Sequence, residues 1–239
     1  MLKHIENLDK EFPDESLIVC PDITKKDVPN GNMEDLPYKQ KVHCFKNNYK
    51  LWIFDFAELL IKGSNDFAKV TSKTDHNVAE VTINSGFAVL ATLNPYFEII
   101  GKLYGESPYY PYSDVNRENK ITPKTFIKCG IPIILSDLQK LKLQQRNEII
   151  NRLYGPIRNS VAHSGLTGKS VILSLNYEEA VVYGIYKEKP AVVINSHRWY
   201  EVLKGHFDKY INILEKTEPL RPEDVDLQTK FNDRFHTLR

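Results

Sequence analysis

The sequence predicts a mainly α-helical bundle with a small inserted β-hairpin and an irregular, proline-rich N-terminal segment. Three observations carry that prediction. Apolar residues recur at helical spacing from Tyr49 onward, short runs rich in β-branched residues replace that spacing near 170–195, and prolines punctuate the first 48 residues.

Taken in order, residues 1–48 are polar and carry Pro13, Pro21, Pro29, Asn30-Gly31 and Pro37, which favours turns and short extended pieces wrapped around a body built elsewhere. "YKLWIFDFAELLIKG" then places Leu51, Trp52, Phe54, Phe56, Leu59 and Leu60 ahead of Gly63, a pattern suited to a buried helix. "NVAEVTINSGFAVLATLNPYFEIIGKLYG" is too long for a strand and reads as a helix kinked or broken at Asn94-Pro95. A loop dense in Tyr and Pro follows, whose Tyr109, Tyr110 and Tyr112 suit either packing on neighbouring helices or stacking on bases. "TFIKCGIPIILSDLQ" and "LQQRNEIINRLYGPIRNSVAH" are helical. Pro156 in the second suits the first turn of a renewed helix after Gly155. "SVILSLN" and "AVVYGIYKEKPAVVIN" read as strands with a turn at "KEKP", and "SHRWYEVLKGHFDKYINILEKT" returns to helical spacing with Ser196 as its N-cap. The tail "RPEDVDLQTKFNDRFHTLR" suits a short helix or a disordered end. The expected organisation is an extended segment over 1–48, a helical domain over 49–217 with the hairpin near 170–195, and a charged tail over 218–239.

Composition narrows the class. A 239-residue chain with 41% hydrophobic and 26% charged residues fits a water-soluble domain with an ordinary core. A formal net charge of +1 argues against a uniformly basic nucleic-acid binder, so any polyanion must meet a local patch. Cys20, Cys44 and Cys129 are widely spaced and odd in number, suggesting neither a disulfide framework nor a zinc site. "MLKHIENLDKEFPDE" lacks the basic and apolar regions of a secretory signal, and the longest apolar stretch, "GFAVLATL", falls far short of the ~20 residues needed to span a bilayer. These features predict a cytoplasmic protein with no membrane span, cofactor or metal site.

Two motifs overlap in "IRNSVAHSGLTGKS". "HSGLTGKS" approaches the phosphate-loop pattern G-x-x-x-x-G-K-[ST], which requires a preceding strand, a first Gly, and a following helix whose N-terminus faces the anion. His163 stands where that Gly is needed, a helix precedes and a strand follows, so the reading fails. The stretch is a turn with Gly165 as a helix stop, and no nucleotide binding through Lys169 is expected.

The other half, "RNSVAH", has chemistry of its own. On a helix Asn159 and His163 are neighbours four residues apart, while Arg158 lies about 140° from His163. A site using both closes more easily when a second copy of the helix approaches across a two-fold axis, which points to a homodimer. His moves a proton near neutral pH and Arg presents a fixed fork of donors to phosphate oxygens, a combination suited to phosphodiester cleavage. With RNA the ribose 2′-hydroxyl supplies the nucleophile and no metal is required. Asn159 is placed to orient the His ring or to hold a phosphate oxygen, and Ser160, Ser164 and Lys169 are candidate RNA contacts. The same residues also fit a bland role, with His163 beside helix-terminal carbonyls and Arg158 in a surface ion pair.

"LYGPIRNSVAHSG" resembles the signature of the HEPN superfamily (higher eukaryotes and prokaryotes nucleotide-binding), in which Arg and a polar residue precede a His by a few positions. The resemblance implies a helical bundle that dimerises with its motif helices facing. It also implies a site of Arg158, Asn159 and His163 and, in many relatives, metal-independent endoribonuclease activity in toxin–antitoxin, phage-defence or RNA-processing systems. Other relatives have lost activity and only bind. Three functions stand open at this level: a dimeric RNA endonuclease, sometimes governed by an antitoxin or other regulatory protein; an inactive module binding nucleotide, RNA or protein; and a scaffold. His43, His197 and His206 lack metal-binding spacing and are assigned to surface or helix-face roles, and nothing around His76 in "SKTDHNV" argues for catalysis.

Overall fold

The computed structural model describes residues 18–20, 23–29, 32–71, 78–104, 123–154, 171–217 and 220–238. The described chain is mainly helical with a small three-stranded sheet, as the sequence predicts. It divides into two compact units, Met1–Leu51 with Ile211–Arg239, and Trp52–Tyr210.

The first unit contains β1 (Ile18–Cys20), paired antiparallel with β2 (Ile23–Thr24), and the helix α1 (Tyr38–Tyr49). This helix corrects the expectation of an extended segment over 1–48. Pro37 precedes the first turn, where a missing amide costs no intrahelical bond, so it starts the helix rather than excluding one. Val42, Cys44 and Phe45 of α1 are buried, and the Phe45 ring meets that of Phe231 edge-on at 5.4 Å. Phe231 lies on the helix α8 (Pro222–Arg234), which replaces the alternative of a disordered tail. Asp224, at the third position of α8, receives Lys216 Nζ at 3.0 Å and Arg221 Nη2 at 3.0 Å, and both cations hold its carboxyl well below the usual carboxylate range.

In the second unit, α2 (Phe56–Thr71) follows a π-helical stretch (Lys50–Asp55), and α3 (Val78–Leu93) is separated from α4 (Pro95–Tyr104) by the expected break at Asn94-Pro95. Then come α5 (Pro123–Ile134) and α6 (Leu143–Arg152). The expected burial near the start of α2 is corrected. Ile53, Phe54 and Ala57 face the core, whereas Trp52, Phe56 and Leu59 are 72%, 51% and 65% exposed. Those three recur at i, i+4 and i+7 and so share one face, which periodicity identifies as apolar without saying what covers it.

The crossing of α4 and α5 is closer than side chains permit. A Cβ on Gly101 would strike the backbone carbonyl of Phe126, and one on Gly130 would strike that of Phe97. The two glycines are reciprocal, so the helices meet backbone to backbone.

The sheet has the order β3-β5-β4, with β3 (Val171–Leu173) parallel to β5 (Lys189–Ile194) and β4 (Val181–Tyr186) antiparallel to it. The hairpin turns at Lys187 and Glu188, whose φ values of 47° and 64° place two non-glycine residues in the left-handed region. The helix α7 (Ser196–Glu215) comes next. Its cap is Asn195 rather than the expected Ser196. Asn195 Oδ1 accepts from the amides of His197 (3.0 Å) and Arg198 (3.2 Å), while its Nδ2 donates to the Tyr177 carbonyl at 2.7 Å. Both residue types can cap, but only Asn can also tie down the preceding loop. Trp199, Leu203 and Phe207 of α7 are buried, with Trp199 5.3 Å from the Phe97 ring and Phe207 4.7 Å from that of Phe54.

Candidate functional site

The RNSVAH segment, with Arg158, Asn159, Ser160, His163, Ser164 and Lys169, lies outside the described residues, as do Tyr109, Tyr110, Tyr112 and His76. The elements on either side of that segment are described. On the N-terminal side α6 buries Ile149 and Ile150. Its exposed side pairs Arg152 Nη2 with Glu148 Oε1 at 2.8 Å, and Lys128 Nζ of α5 donates to Asn151 Oδ1 at 2.6 Å. The Tyr183 hydroxyl from β4 also donates to Glu148 and, with Arg152, lowers that carboxyl's pKa. Glu148 in turn raises the pKa of Tyr183. On the C-terminal side β3 is fixed by its parallel pairing, Val171 opposite Val192 and Leu173 opposite Ile194. The segment is thus carried between a helix and a central-sheet neighbour, the reverse of the strand-then-helix order that a phosphate loop requires.

Each unit has a sizeable groove that sequence reasoning missed. In the first unit a cavity of about 770 Å³ is lined by Lys39, His43 and Lys46 of α1 together with Leu214, Lys216 and Gln228. Lys46 Nζ meets Glu215 Oε1 at 2.7 Å, and Asn47 Nδ2 lies 2.9 Å from His43 Nε2. Carbonyls of Ile213, Leu214 and Lys216, at and just past the end of α7, have side-chain donors. Tyr38 donates to Leu214 O at 2.9 Å, and Gln228 Nε2 donates to Ile213 O (2.8 Å) and Lys216 O (2.9 Å). Burial pushes the Tyr38 hydroxyl up to about 12, so it remains a donor. The available signal was the absence of any Asp or Glu from α1.

In the second unit a cavity of about 470 Å³ carries the opposite sign, with Glu178, Glu179 and Glu201 beside Arg198 and the apolar Leu135 and Val202. Arg198 Nη1 is paired with Glu201 at 2.7 Å.

His206 lies on α7 with aromatic partners. Its Nδ1 lies 2.9 Å from the Tyr96 hydroxyl, and its ring stacks on Tyr210 at 6.3 Å. Burial, with Lys209 adding to it, pulls its pKa down to about 4, so the ring that shares a hydrogen bond with the Tyr96 hydroxyl is neutral near pH 7. His197 is also lowered by burial. His43 faces Asn47 on α1, while Cys44 and Cys129 are buried.

Among the described residues no cluster of three or more His, Cys, Asp or Glu could hold a metal ion, and no helix is long and apolar enough to cross a membrane. In comparisons with protein-family models, curated proteins and solved structures, none matches this chain.

Proposed function

We propose that this protein is a metal-independent RNA endonuclease acting as a HEPN-like homodimer. The single observation that carries the reading is the Arg158-Asn159-x-x-x-His163 spacing in the chain that continues from α6. The mainly helical fold and the helix-before, strand-after order around the segment are compatible with it and disfavour the competing phosphate-loop reading. In the proposed reaction the 2′-oxygen of the ribose attacks the adjacent phosphorus and the bond to the 5′-oxygen breaks. His163 moves the proton from the attacking to the departing oxygen, and Arg158 stabilises the charge that builds on the phosphorane. Asn159 orients the imidazole. Ser160, Ser164 and Lys169 contact RNA. The products are a 2′,3′-cyclic phosphate and a 5′-hydroxyl, and DNA survives because it lacks the nucleophile.

The 140° offset of Arg158 from His163 supports a two-fold arrangement with motif helices adjacent. Light scattering should then give twice the 27.7 kDa chain mass at micromolar concentration; a monomer mass at every concentration counts against the dimer. The proposal places the protein in the cytoplasm, consistent with its sparse, unclustered cysteines, and under the control of an antitoxin or similar regulator. The decisive assay is incubation with mixed RNAs in chelator, beside His163→Ala. Metal-free cleavage lost in the variant supports the mechanism. Cleavage abolished by chelator alone contradicts it, and no cleavage by the unaltered protein transfers the reading to an RNA-binding module.

A further inference from the structure

We propose that the first unit's groove, between α1 and the C-terminal end of α7, grips the phosphate backbone of single-stranded RNA; the choice of RNA as the polyanion rests on the endonuclease reading. Helix α1 contains Lys39, Lys41 and Lys46 and no acidic residue. Lys41 is buried and donates to Asn232 Oδ1 at 2.9 Å, so it is structural. Lys39, His43 and Lys46 follow i, i+4 and i+7 and line the groove along one helix face, a span of about 10 Å. Lys216 lines the opposite wall, with its ammonium paired to the Asp224 carboxylate at 3.0 Å.

The groove's acceptors are largely engaged. Glu215, its acidic lining residue, is held by Lys46, and the helix-end carbonyls that would repel an anion receive Tyr38 and Gln228. Lys39 is exposed and makes no hydrogen bond or ion pair among the described residues. Its charge is available to a ligand. At about 770 Å³ the cavity suits a nucleotide-sized unit, and Val42, Leu214 and the Tyr38 ring supply apolar surface for sugar or base between the cations. A row of donors along a helix, rather than one convergent cradle, suits successive phosphates of a strand better than a single free nucleotide.

The test uses the full chain carrying His163→Ala, so that RNA stays intact, and a labelled single-stranded 12-mer RNA followed by fluorescence anisotropy across a salt series. Adding Lys39→Ala and Lys46→Ala should weaken binding about tenfold near 0.15 M salt and reduce the salt slope by about 0.7 per lysine. Lys39→Arg with Lys46→Arg should restore both. Lys39→Glu alone, at an exposed position, should weaken binding without changing the melting curve. Unchanged affinity and slope in the folded double variant would overturn the proposal, as would no RNA binding by the parent or competition by adenosine monophosphate as strong as that of unlabelled RNA.

The two readings fail separately. Metal-free cleavage by the unaltered protein with no effect of the lysine variants removes the groove alone. Loss of affinity in those variants without any cleavage by the unaltered protein removes the endonuclease alone.

Discussion

The two units differ in the charge that lines the grooves described in each. The second closes α4 on α5 until backbone meets backbone, and its 470 Å³ groove is lined by Glu178, Glu179 and Glu201. The first keeps about 770 Å³ open between α1 and the end of α7, lined by Lys39, Lys46 and Lys216, of which Lys46 pairs with Glu215 and Lys216 with Asp224. A formal net charge of +1 is therefore an average over opposed local fields, and local fields decide which ligands approach. The second unit holds both elements that flank the RNSVAH segment, and the groove proposed to take RNA lies in the first.

The largest effect should come from prising apart the close crossing. Gly130→Ala or Gly101→Ala must push the Phe97 or Phe126 carbonyl away, at a cost of about 3 kcal/mol or more, because the obstacle is backbone. Gly205→Ala is the internal control. Among the described residues no atom beyond its chain neighbours and its own helix backbone lies within 4 Å of where its Cβ would be, so it should gain about 0.5–1 kcal/mol from helix propensity. Urea midpoints of the three variants check this; equal effects at Gly130 and Gly205 would mean that the helices do not meet as described.

Acidification should come next, and it should act on the second unit. His206 is neutral when folded, with its pKa lowered to about 4, whereas the unfolded value is 6.5. Its contribution is thus complete above about pH 6.5 and declines as pH falls toward 4, by up to about 3 kcal/mol. Thermal unfolding followed from pH 7 to 4.5 should show a steeper loss in the unaltered protein than in His206→Gln. Parallel profiles would remove His206 from the account.

Charge exchange sharpens the contrast between grooves. Replacing Glu178 and Glu179 by Lys should leave RNA affinity unchanged or raise it, whereas loss of Lys39 and Lys46 should lower it about tenfold, or about 1.4 kcal/mol. Equal losses from both pairs would mean that the folded surface is being perturbed nonspecifically. The smallest effect belongs to the hairpin. Glu188 adopts a φ of 64°, so Glu188→Gly should relieve strain worth about 0.5–1 kcal/mol, read as a small rise in melting temperature.

Sequence patterning located most of the helices and the hairpin because their signals are local. The break at Asn94-Pro95, the period change after Gly165 and the turn at Lys187-Glu188 each follow from residues close in the chain. α1 was missed because Pro37, a helix starter, was counted with the prolines that break structure. What stabilises α1 is also distant in the chain: Phe45 needs the Phe231 ring, and Tyr38 needs the Leu214 carbonyl. The same limit hid both grooves, whose walls come from separate segments. The exposed face of Trp52, Phe56 and Leu59 shows the converse, an apolar stripe that periodicity assigns to the interior. The Arg158-Asn159-x-x-x-His163 pattern was legible as spacing and chemistry, but spacing alone does not bring its side chains together.

The most direct test of the central claim is cleavage of single-stranded RNA in chelator by the unaltered protein, His163→Ala and Arg158→Ala, with identification of the new 3′ ends. The account predicts 2′,3′-cyclic phosphate ends from the unaltered protein and a loss of rate of about 10²-fold or more in each variant, with fold and dimer retained. Cleavage at the full rate by a clean His163→Ala preparation would contradict it.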